Sequence, residues 1–384
     1  MWVSHFLHRR NDTGALANRL TEAQHAIDGI GENLIGFEIG NEPNYYSGVN
    51  RPLTNSVSDY LTEWTRYAEA ISEQALKGNT KGLLEEKFFQ ALVVVSISGN
   101  YMLTTGDWRP VTALNEGLSQ SPYMKTLCVH KYGTASGVGG TLAALSLNAT
   151  HTEYLCGDYA EDVAYLESND TDVGFVMGEG QLFIEPGYAD LADVLGYSLG
   201  TANYLLWSAA MNVSKNYMFT SSTHNYSISH PQADVLGPPK VLASYYGFTF
   251  WADFLGTNEN VRVVQLTTDS NDRDYVRVYA PYSGDVLAKI AILNMVPYNA
   301  SASVVRSTTP FIISLPASYH DIKVEQLTAP GSNSQDGITW AGYQYTYESG
   351  DRPMFVKNTT LYIQHSSGTL TMPADAASAV LLTL

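Results

Sequence analysis

The pattern of hydrophobic residues changes near Gly256, and this change constrains the fold more than any single motif. Before it, apolar strand-like runs alternate with segments of helical periodicity; after it, short β-rich runs alternate with turn clusters such as Gly331-Ser332-Asn333-Ser334. The first pattern indicates βαβ units with a parallel sheet, and the second indicates an antiparallel β-sandwich. We therefore predict an α/β domain at 1–256 and a β-sandwich domain at 257–384.

The stretch 34–46 reads LIGFEIGNEPNYY and has the composition of a buried strand that ends in Asn-Glu-Pro. Pro43 stops the strand and favours an extended backbone at Glu42. In a parallel α/β sheet or barrel, catalytic groups lie at the carboxyl ends of the strands. Glu42 is therefore a candidate catalytic residue.

A second apolar run, Val173–Met177, delivers Glu179 in the same way. If both strands are parallel members of one barrel, Glu42 and Glu179 emerge at the same rim. Two carboxyl groups flanking one bond are what glycoside hydrolysis needs, and a separation of about 5 to 5.5 Å predicts retention whereas a wider gap predicts inversion. The alternative is a solvated glutamate at a strand end, which is the common case for a lone carboxylate.

The sequence 37–44, FEIGNEPN, closely resembles the acid/base motif of glycoside hydrolase family 79, the β-glucuronidase and heparanase family of retaining (β/α)8 glycosidases. The resemblance implies that Glu42 is the acid/base and Glu179 the nucleophile. It implies that Asn41 hydrogen-bonds the sugar 2-hydroxyl or the nucleophile. His130 and Tyr132 match a His-x-Tyr pair at the end of the sixth barrel strand, where Tyr132 would hold the nucleophile and His130 would line the sugar site.

The resemblance extends to 324–331 and 338–342, which are similar to the C-terminal sandwich of that family. Two departures matter. With the Glu42 strand counted as the fourth, only one earlier strand fits, so the first two βα units are expected to be absent. The loop after Glu179 lacks the Asn-Ser pair and the Tyr/Gly-rich segment that bind a substrate carboxylate in the family; here Glu185 could repel a uronate.

Three further residues are predicted to bind substrate: Gln181 and Tyr188 in that altered loop, and Tyr226 after the eighth-strand candidate. Tyr226 could equally be an ordinary loop residue. Trp108 could stack on a sugar ring or be a structural aromatic. The histidine spacing suggests no metal site, and no cofactor is expected.

The net charge of −17 is spread along the chain, which makes nucleic acid and anionic membranes unsuitable partners. N-x-[ST] sequons favour a secreted glycoprotein with N-glycans; they begin at Asn11, Asn148, Asn169, Asn212, Asn225, Asn299 and Asn358. The first ten residues lack a signal-peptide core, so the chain is either intracellular or its natural start is missing. Cys128 and Cys156 allow one disulfide.

These features predict a secreted retaining β-glucuronidase that removes terminal (4-O-methyl-)glucuronic acid from glycans. The competing hypothesis is a catalytically impaired or truncated carbohydrate-binding protein of the same fold. An endo-acting enzyme on glycosaminoglycans would need a basic cleft, and the net acidity weighs against it.

Overall fold

The computed structural model describes residues 2–4, 13–49, 51–84, 86–97, 107–134, 140–169, 172–183, 187–233, 237–257, 260–269, 272–350, 352–366 and 368–384. By its contacts the chain divides into two units. The first unit comprises Met1–Tyr132, Asp158–Gly180 and Val213–Tyr217; the second comprises Gly133–Gly157, Gln181–Asn212 and Met218–Leu384. The domain boundary proposed at residue 256 stays a prediction.

The α/β part alternates strands with helices, as its periodicity predicts. Its elements are β1 (Trp2–Ser4), α1 (Thr13–Ile30), β2 (Phe37–Ile39), α2 (Val57–Ile71), β3 (Phe89–Ile97), α3 (Pro110–Asn115), β4 (Met124–Thr134), α4 (Ala149–Cys156), α5 (Ala160–Asn169), β5 (Gly174–Phe183), α6 (Leu195–Ala210), β6 (Lys215–Asn216), β7 (Ser229–His230), β8 (Lys240–Val241) and α7 (Ser244–Leu255). A 3-10 turn at Gly157–Tyr159 separates α4 from α5.

Strands β1 to β6 form one sheet in chain order within the described residues. The registers of β1–β2, β2–β3, β3–β4 and β5–β6 are parallel. A parallel sheet brings the carboxyl-terminal parts of its strands to one edge, which is why the turn after β2 and the later residues of β4 and β5 can meet. Closure into a (β/α)8 barrel and the absence of two βα units stay predictions.

Helix α2 shows how the sequence builds the layer beside this sheet. Ser56 and Asp59 form a reciprocal capping box, as their spacing predicts. The aromatic stripe on α2 is buried, and Trp64 donates its indole N–H to the Gln90 carbonyl oxygen at 3.2 Å. These aromatic side chains, Tyr60, Trp64 and Tyr67, therefore belong to the core.

The C-terminal part is a β domain. Its strands are β9 (Val261–Leu266), β10 (Val276–Ser283), β11 (Val286–Leu287), β12 (Lys289–Asn294), β13 (Thr308–Ser314), β14 (Asp321–Thr328), β15 (Thr339–Trp340), β16 (Tyr343–Gln344), β17 (Met354–Phe355), β18 (Leu361–Gln364), β19 (Thr369–Asp375) and β20 (Ser378–Thr383). In the described residues, β13 and β19 pair with each other and the other ten strands form one antiparallel sheet.

The two sheets of the β domain share one apolar core. Alternate residues of β10, β12, β14, β19 and β20 meet there, because side chains on a strand point to one face every second residue. Its members are Val278, Ile290, Ile292, Leu315, Ile322, Val324, Leu370, Met372, Ala374, Val380 and Leu382. Among the described residues no helix combines the length and hydrophobicity needed to cross a bilayer.

Candidate active site

Glu42 lies just beyond β2, where the chain turns into a short 3-10 helix at Pro43–Tyr45. The prediction of an extended backbone at Glu42 was wrong. Glu42 adopts φ 51° and ψ 54°, in the left-handed region. Its N–H donates to the Val93 carbonyl oxygen at 2.9 Å, a bond to the neighbouring strand that holds this conformation against the preference imposed by Pro43. Strained backbone of this kind is concentrated at functional sites.

Val93, whose carbonyl oxygen accepts the hydrogen bond from Glu42, belongs to a β-bulge in β3. Leu92 and Val93 both have positive φ, 76° and 50°, which is rare for a β-branched residue such as valine. The register with β4 shifts at this point. The Leu92 N–H, released from the ladder, donates to the buried Tyr60 hydroxyl at 2.7 Å. The bulge thereby points the Val93 carbonyl at Glu42, and the Leu92 amide, which the bulge takes out of the strand ladder, is still hydrogen-bonded.

Two residues of β4 hold the two candidate carboxyl groups. Nδ1 of His130 lies 3.0 Å from Glu42 Oε1, and the Tyr132 hydroxyl donates to Glu179 Oε1 at 2.5 Å. Lys131, between them, points to the opposite face and forms a 2.8 Å ion pair with Asp158. The strand's period of two thus separates the site residues from a structural lysine.

Single oxygen or nitrogen atoms of Glu42, His130 and Glu179 all lie within 4.8 Å of one another. Both carboxyl side chains remain partly exposed, whereas His130 is buried. The structure therefore brings together four residues predicted from sequence, with both carboxyl groups open to an incoming molecule. Asn41 sits beside them, and its N–H donates to the Tyr46 hydroxyl at 3.1 Å.

A polar layer lies beneath this pair. Glu38 of β2 accepts a hydrogen bond from the side-chain amide Nε2 of Gln90 on β3. The Thr126 hydroxyl of β4 donates to the side-chain oxygen Oε1 of Gln90 at 3.1 Å. Cys128 Sγ lies 3.8 Å from the same Glu38 oxygen. Gly178 leaves room for this layer, since a Cβ atom there would come within 2.3 Å of Cys128 Sγ.

Burial raises the pKa of Glu38 and, more strongly, that of the Cys128 thiol. Burial alone would lower the pKa of His130, but the hydrogen bond that His130 donates to Glu42 and the charges of Glu179 and Glu38 outweigh burial, so the pKa of His130 is raised. Cys128 is a free thiol, so it forms no bridge with Cys156, and its raised pKa makes it a poor nucleophile.

Two sets of side chains have the donor atoms of metal ligands: Glu38, Cys128 and His130, and Glu42, His130 and Glu179. A metal ion there would displace hydrogen bonds that these groups make to protein partners. We assign the cluster to acid–base chemistry, and the expectation that no metal or cofactor is needed stays a prediction.

The other predicted binding residues belong to the second unit. The amide of Gln181 is engaged on both sides, donating to the Phe219 carbonyl at 2.6 Å and accepting from the Tyr197 hydroxyl at 2.7 Å. Tyr226 is buried against Phe219, and a Cβ atom at Gly187 would lie 3.1 Å from its ring. Tyr188 is half-buried, with its ring against Phe183. Their roles in binding stay predictions.

The sequence analysis missed Glu38 and Gln90. The signal was available: each is a single polar residue inside an otherwise apolar run that is predicted to be a buried strand. Trp108 is fully buried against Tyr60, so it is a structural aromatic. Glu185 lies outside the described residues.

The sequence model of the "Glycosyl hydrolase family 79 C-terminal beta domain" matches residues 278–381. A β-glucuronidase of Aspergillus niger is 27% identical over 349 residues, covering 86% of this chain and 62% of that protein. A β-glucuronidase of Neurospora crassa is 24% identical over 407 residues, covering 92% of this chain and 70% of that protein. The chain thus spans less than three quarters of the length of either relative.

Solved structures extend the similarity to the fold. A 4-O-α-L-rhamnosyl-β-D-glucuronidase from Fusarium oxysporum aligns over 100% of this chain and 76% of its own, with a TM-score of 0.76 and 19% identity. A family 51 arabinofuranosidase from Xanthomonas axonopodis pv. citri aligns over 91% of this chain and 66% of its own, with a TM-score of 0.55 and 15% identity. The α/β glycosidase fold predicted from the sequence is confirmed by these matches.

Proposed function

This chain is a member of glycoside hydrolase family 79, and we propose that it is a retaining β-glucuronidase that releases terminal (4-O-methyl-)glucuronic acid by double displacement. One observation carries the retaining mechanism. Carboxyl oxygens of Glu42 and Glu179 lie within 4.8 Å of each other. Such close oxygens favour a retaining pair, in which the carboxyl groups are typically about 5 to 5.5 Å apart.

In the first step Glu179 attacks the anomeric carbon, the glycosidic C–O bond breaks, and Glu42 gives its proton to the leaving oxygen. The Tyr132 hydroxyl already occupies Glu179 Oε1, which leaves Oε2 as the attacking atom. In the second step Glu42 takes a proton from water, the water oxygen bonds to the anomeric carbon, and the bond to Glu179 breaks.

The sugar is proposed from the relatives, two of which are named β-glucuronidases. Which residues bind the uronate carboxylate stays a prediction from the sequence, with Tyr188 and Tyr226 as its candidates.

Hydrolysis of p-nitrophenyl β-glucuronide at mildly acidic pH tests the proposal, with Glu179→Gln as the variant and the exposed Glu69→Gln as the matched control. We expect turnover by the parent and the control and a loss of at least about a thousandfold in Glu179→Gln. Proton NMR of the first sugar released would show the β anomer. Release of the α anomer would overturn the retaining mechanism, and equal activity of parent and Glu179→Gln would overturn the assignment of the nucleophile.

The competing hypothesis of a carbohydrate-binding protein without activity gives a different result. The chain would then bind glucuronides in calorimetry but turn none over, and Glu179→Gln would leave the affinity unchanged. Hydrolysis of another β-glycoside in place of the glucuronide would instead reassign the sugar while keeping the two-carboxylate mechanism.

We also propose a secreted glycoprotein. Among the described sequons, exposure favours Asn169, Asn212, Asn299 and Asn358, because Asn225 is buried and the side chain of Asn148 caps α4; Asn11 lies outside the described residues. Peptide mass spectrometry of protein expressed with a secretion signal in a glycosylating host tests this. Glycans at Asn225 would contradict the choice of sites, and unmodified protein would contradict the proposal.

A further inference from the structure

Beneath the proposed catalytic pair lies a third carboxyl group to which the reaction assigns no role. Glu38 lies on β2, four residues before Glu42, and is buried, with 5% of its surface exposed. A buried carboxyl group is costly unless it is hydrogen-bonded or neutral. Its presence in the interior therefore calls for an explanation.

The surroundings of Glu38 fix it in one place. The Thr126 hydroxyl donates to the side-chain oxygen Oε1 of Gln90. This orients the side-chain amide so that Nε2 donates to Glu38. Cys128 Sγ packs against the same oxygen, and Gly178 closes the layer from β5. Strand β3 thus contributes Gln90, β4 contributes Cys128 and, through Gln90, Thr126, and β5 contributes the space at Gly178.

Glu38 and Cys128 each place one donor atom within 4.8 Å of a nitrogen of His130. His130 in turn touches Glu42, with Nδ1 3.0 Å from Oε1. The imidazole is therefore a buried bridge between the carboxyl group below and the proposed acid/base above.

We propose that Glu38 is a positioning residue for the acid/base: it keeps His130 in the cationic form and so sets the proton affinity of Glu42. This inference rests on the proposed function and deepens it. The physical reason is charge compensation, since a buried imidazolium is stable only when anionic or hydrogen-bond-accepting groups surround it.

The groups that face this network come from five strands and from α2, whose Tyr60 has a pKa raised well above its usual value, mainly by burial. Those from the strands are Glu38 and Glu42 from β2 and the turn after it, Gln90 from β3, Thr126, Cys128, His130 and Tyr132 from β4, Glu179 from β5, and Tyr217 after β6, whose pKa is raised by burial and by the charges of Cys128 and Glu38. The neighbouring buried cations are committed elsewhere, Lys131 to Asp158 and Arg51 to Glu63. His130 is thus the group in this described cluster that can carry positive charge.

Glu38→Gln and Glu38→Asp separate charge from shape. The amide keeps an oxygen acceptor but removes the charge, whereas aspartate keeps the charge on a shorter stem. We expect the alkaline limb of the kcat/KM profile to move to higher pH in Glu38→Gln, because Glu42 holds its proton more tightly once the neighbouring imidazolium is lost, and to stay near the parent in Glu38→Asp. Glu69→Gln, at an exposed site, should match the parent.

Leaving-group dependence gives a second readout that a merely structural defect would not move. Glycosides whose leaving group needs a proton depend on Glu42, whereas activated aryl glycosides do not. We expect Glu38→Gln to lower kcat/KM at least about tenfold more on alkyl than on dinitrophenyl glucuronides.

Titration of His130 in the folded parent, followed by NMR and assigned with His130→Asn, needs no Glu38 variant to fold. Protonation of His130 persisting above the usual histidine range is the expected result, and titration at or below that range would overturn the inference. A parent-like pH profile and leaving-group dependence in Glu38→Gln would overturn it as well. These failures differ from failure of the proposed function, in which the parent hydrolyses no glycoside and Glu179→Gln changes nothing.

Discussion

The interior beneath the carboxyl pair and the core of the β domain are built from opposite chemistry. In the first unit, the inward positions below Glu42 hold Glu38, Gln90, Thr126 and Cys128, each in contact with another polar group. In the β domain the corresponding inward positions hold aliphatic side chains in one continuous cluster. Both interiors are buried, and both are formed by alternate residues of strands.

The difference lies in what each interior can tolerate. An apolar core needs the right volume, so related aliphatic residues substitute for one another at modest cost. A buried polar layer needs every partner in place, because one unpaired group costs about 1 to 3 kcal/mol. The polar layer therefore fixes geometry and protonation at the site, while the apolar core supplies stability. The predictions below test that division.

Removing the acid/base should produce the largest effect, and it should fall on activity alone. In Glu42→Ala we expect kcat/KM on poorly activated glucuronides to fall by about a hundredfold to ten-thousandfold. Azide should restore part of the turnover of activated substrates and give a β-glycosyl azide. The thermal midpoint should not fall, since the removed carboxyl group is partly exposed and lies on strained backbone. A lower thermal midpoint with unchanged kcat/KM would contradict the view that the site residues control activity while the apolar core controls stability.

A cavity in the apolar core should do the opposite. Ile292 is fully buried in the β-domain cluster, and Ile292→Ala should lower the free energy of unfolding by about 2 to 5 kcal/mol. Ile312, on β13, is 76% exposed, so Ile312→Ala is the matched control and should change stability by less than about 0.5 kcal/mol. Urea unfolding measures both. Equal effects would mean that Ile292 does not belong to a tightly packed core.

The same contrast explains how far the sequence could be read. The strands ending in Glu42, Tyr132 and Glu179 were predicted because apolar runs followed by a polar residue are visible in one dimension. Gln90 and Glu38 were missed because their partners lie 52 residues apart and depend on the β2–β3 register. The left-handed backbone at Glu42 depends on a bulge at Leu92–Val93, and no residue pattern in either segment of the sequence predicts that bulge.

A buried acid away from the site should control stability without controlling activity. Burial is the main cause that raises the pKa of Asp162 to about 7, although the Val111 N–H donates to it at 3.1 Å. The unfolded state releases that proton near pH 3.8, so the folded state binds more protons between these values and stability falls as pH rises from about 4 to 7. The loss would approach about 4 kcal/mol.

Asp162→Asn removes this titration and should flatten the pH dependence of unfolding, while the exposed Asp172→Asn should keep it. Urea midpoints at pH 4, 5.5 and 7 measure the slope. The pH profile of kcat/KM should be the same in Asp162→Asn as in the parent, unlike the shift expected for Glu38→Gln. A shifted profile in Asp162→Asn would show that buried acids act on activity wherever they lie, and the contrast between the two interiors would then fail.

The smallest effect should come from Tyr132→Phe, which removes one hydroxyl and keeps the ring. That hydroxyl donates to Glu179 Oε1 at 2.5 Å, and a hydrogen bond to a charged group is worth about 1.5 to 3 kcal/mol. We expect kcat to fall by about ten- to a hundredfold, because Glu179 loses the contact that orients it for attack. Stability should change little, since the side chain of Glu179 is partly exposed and water can replace the hydroxyl. Stopped-flow measurement of aglycone release would locate the slowed step in formation of the glycosyl-enzyme. A defect confined to its hydrolysis would instead tie Tyr132 to Glu42, and the separate holding of the two carboxyl groups by His130 and Tyr132 would have to be abandoned.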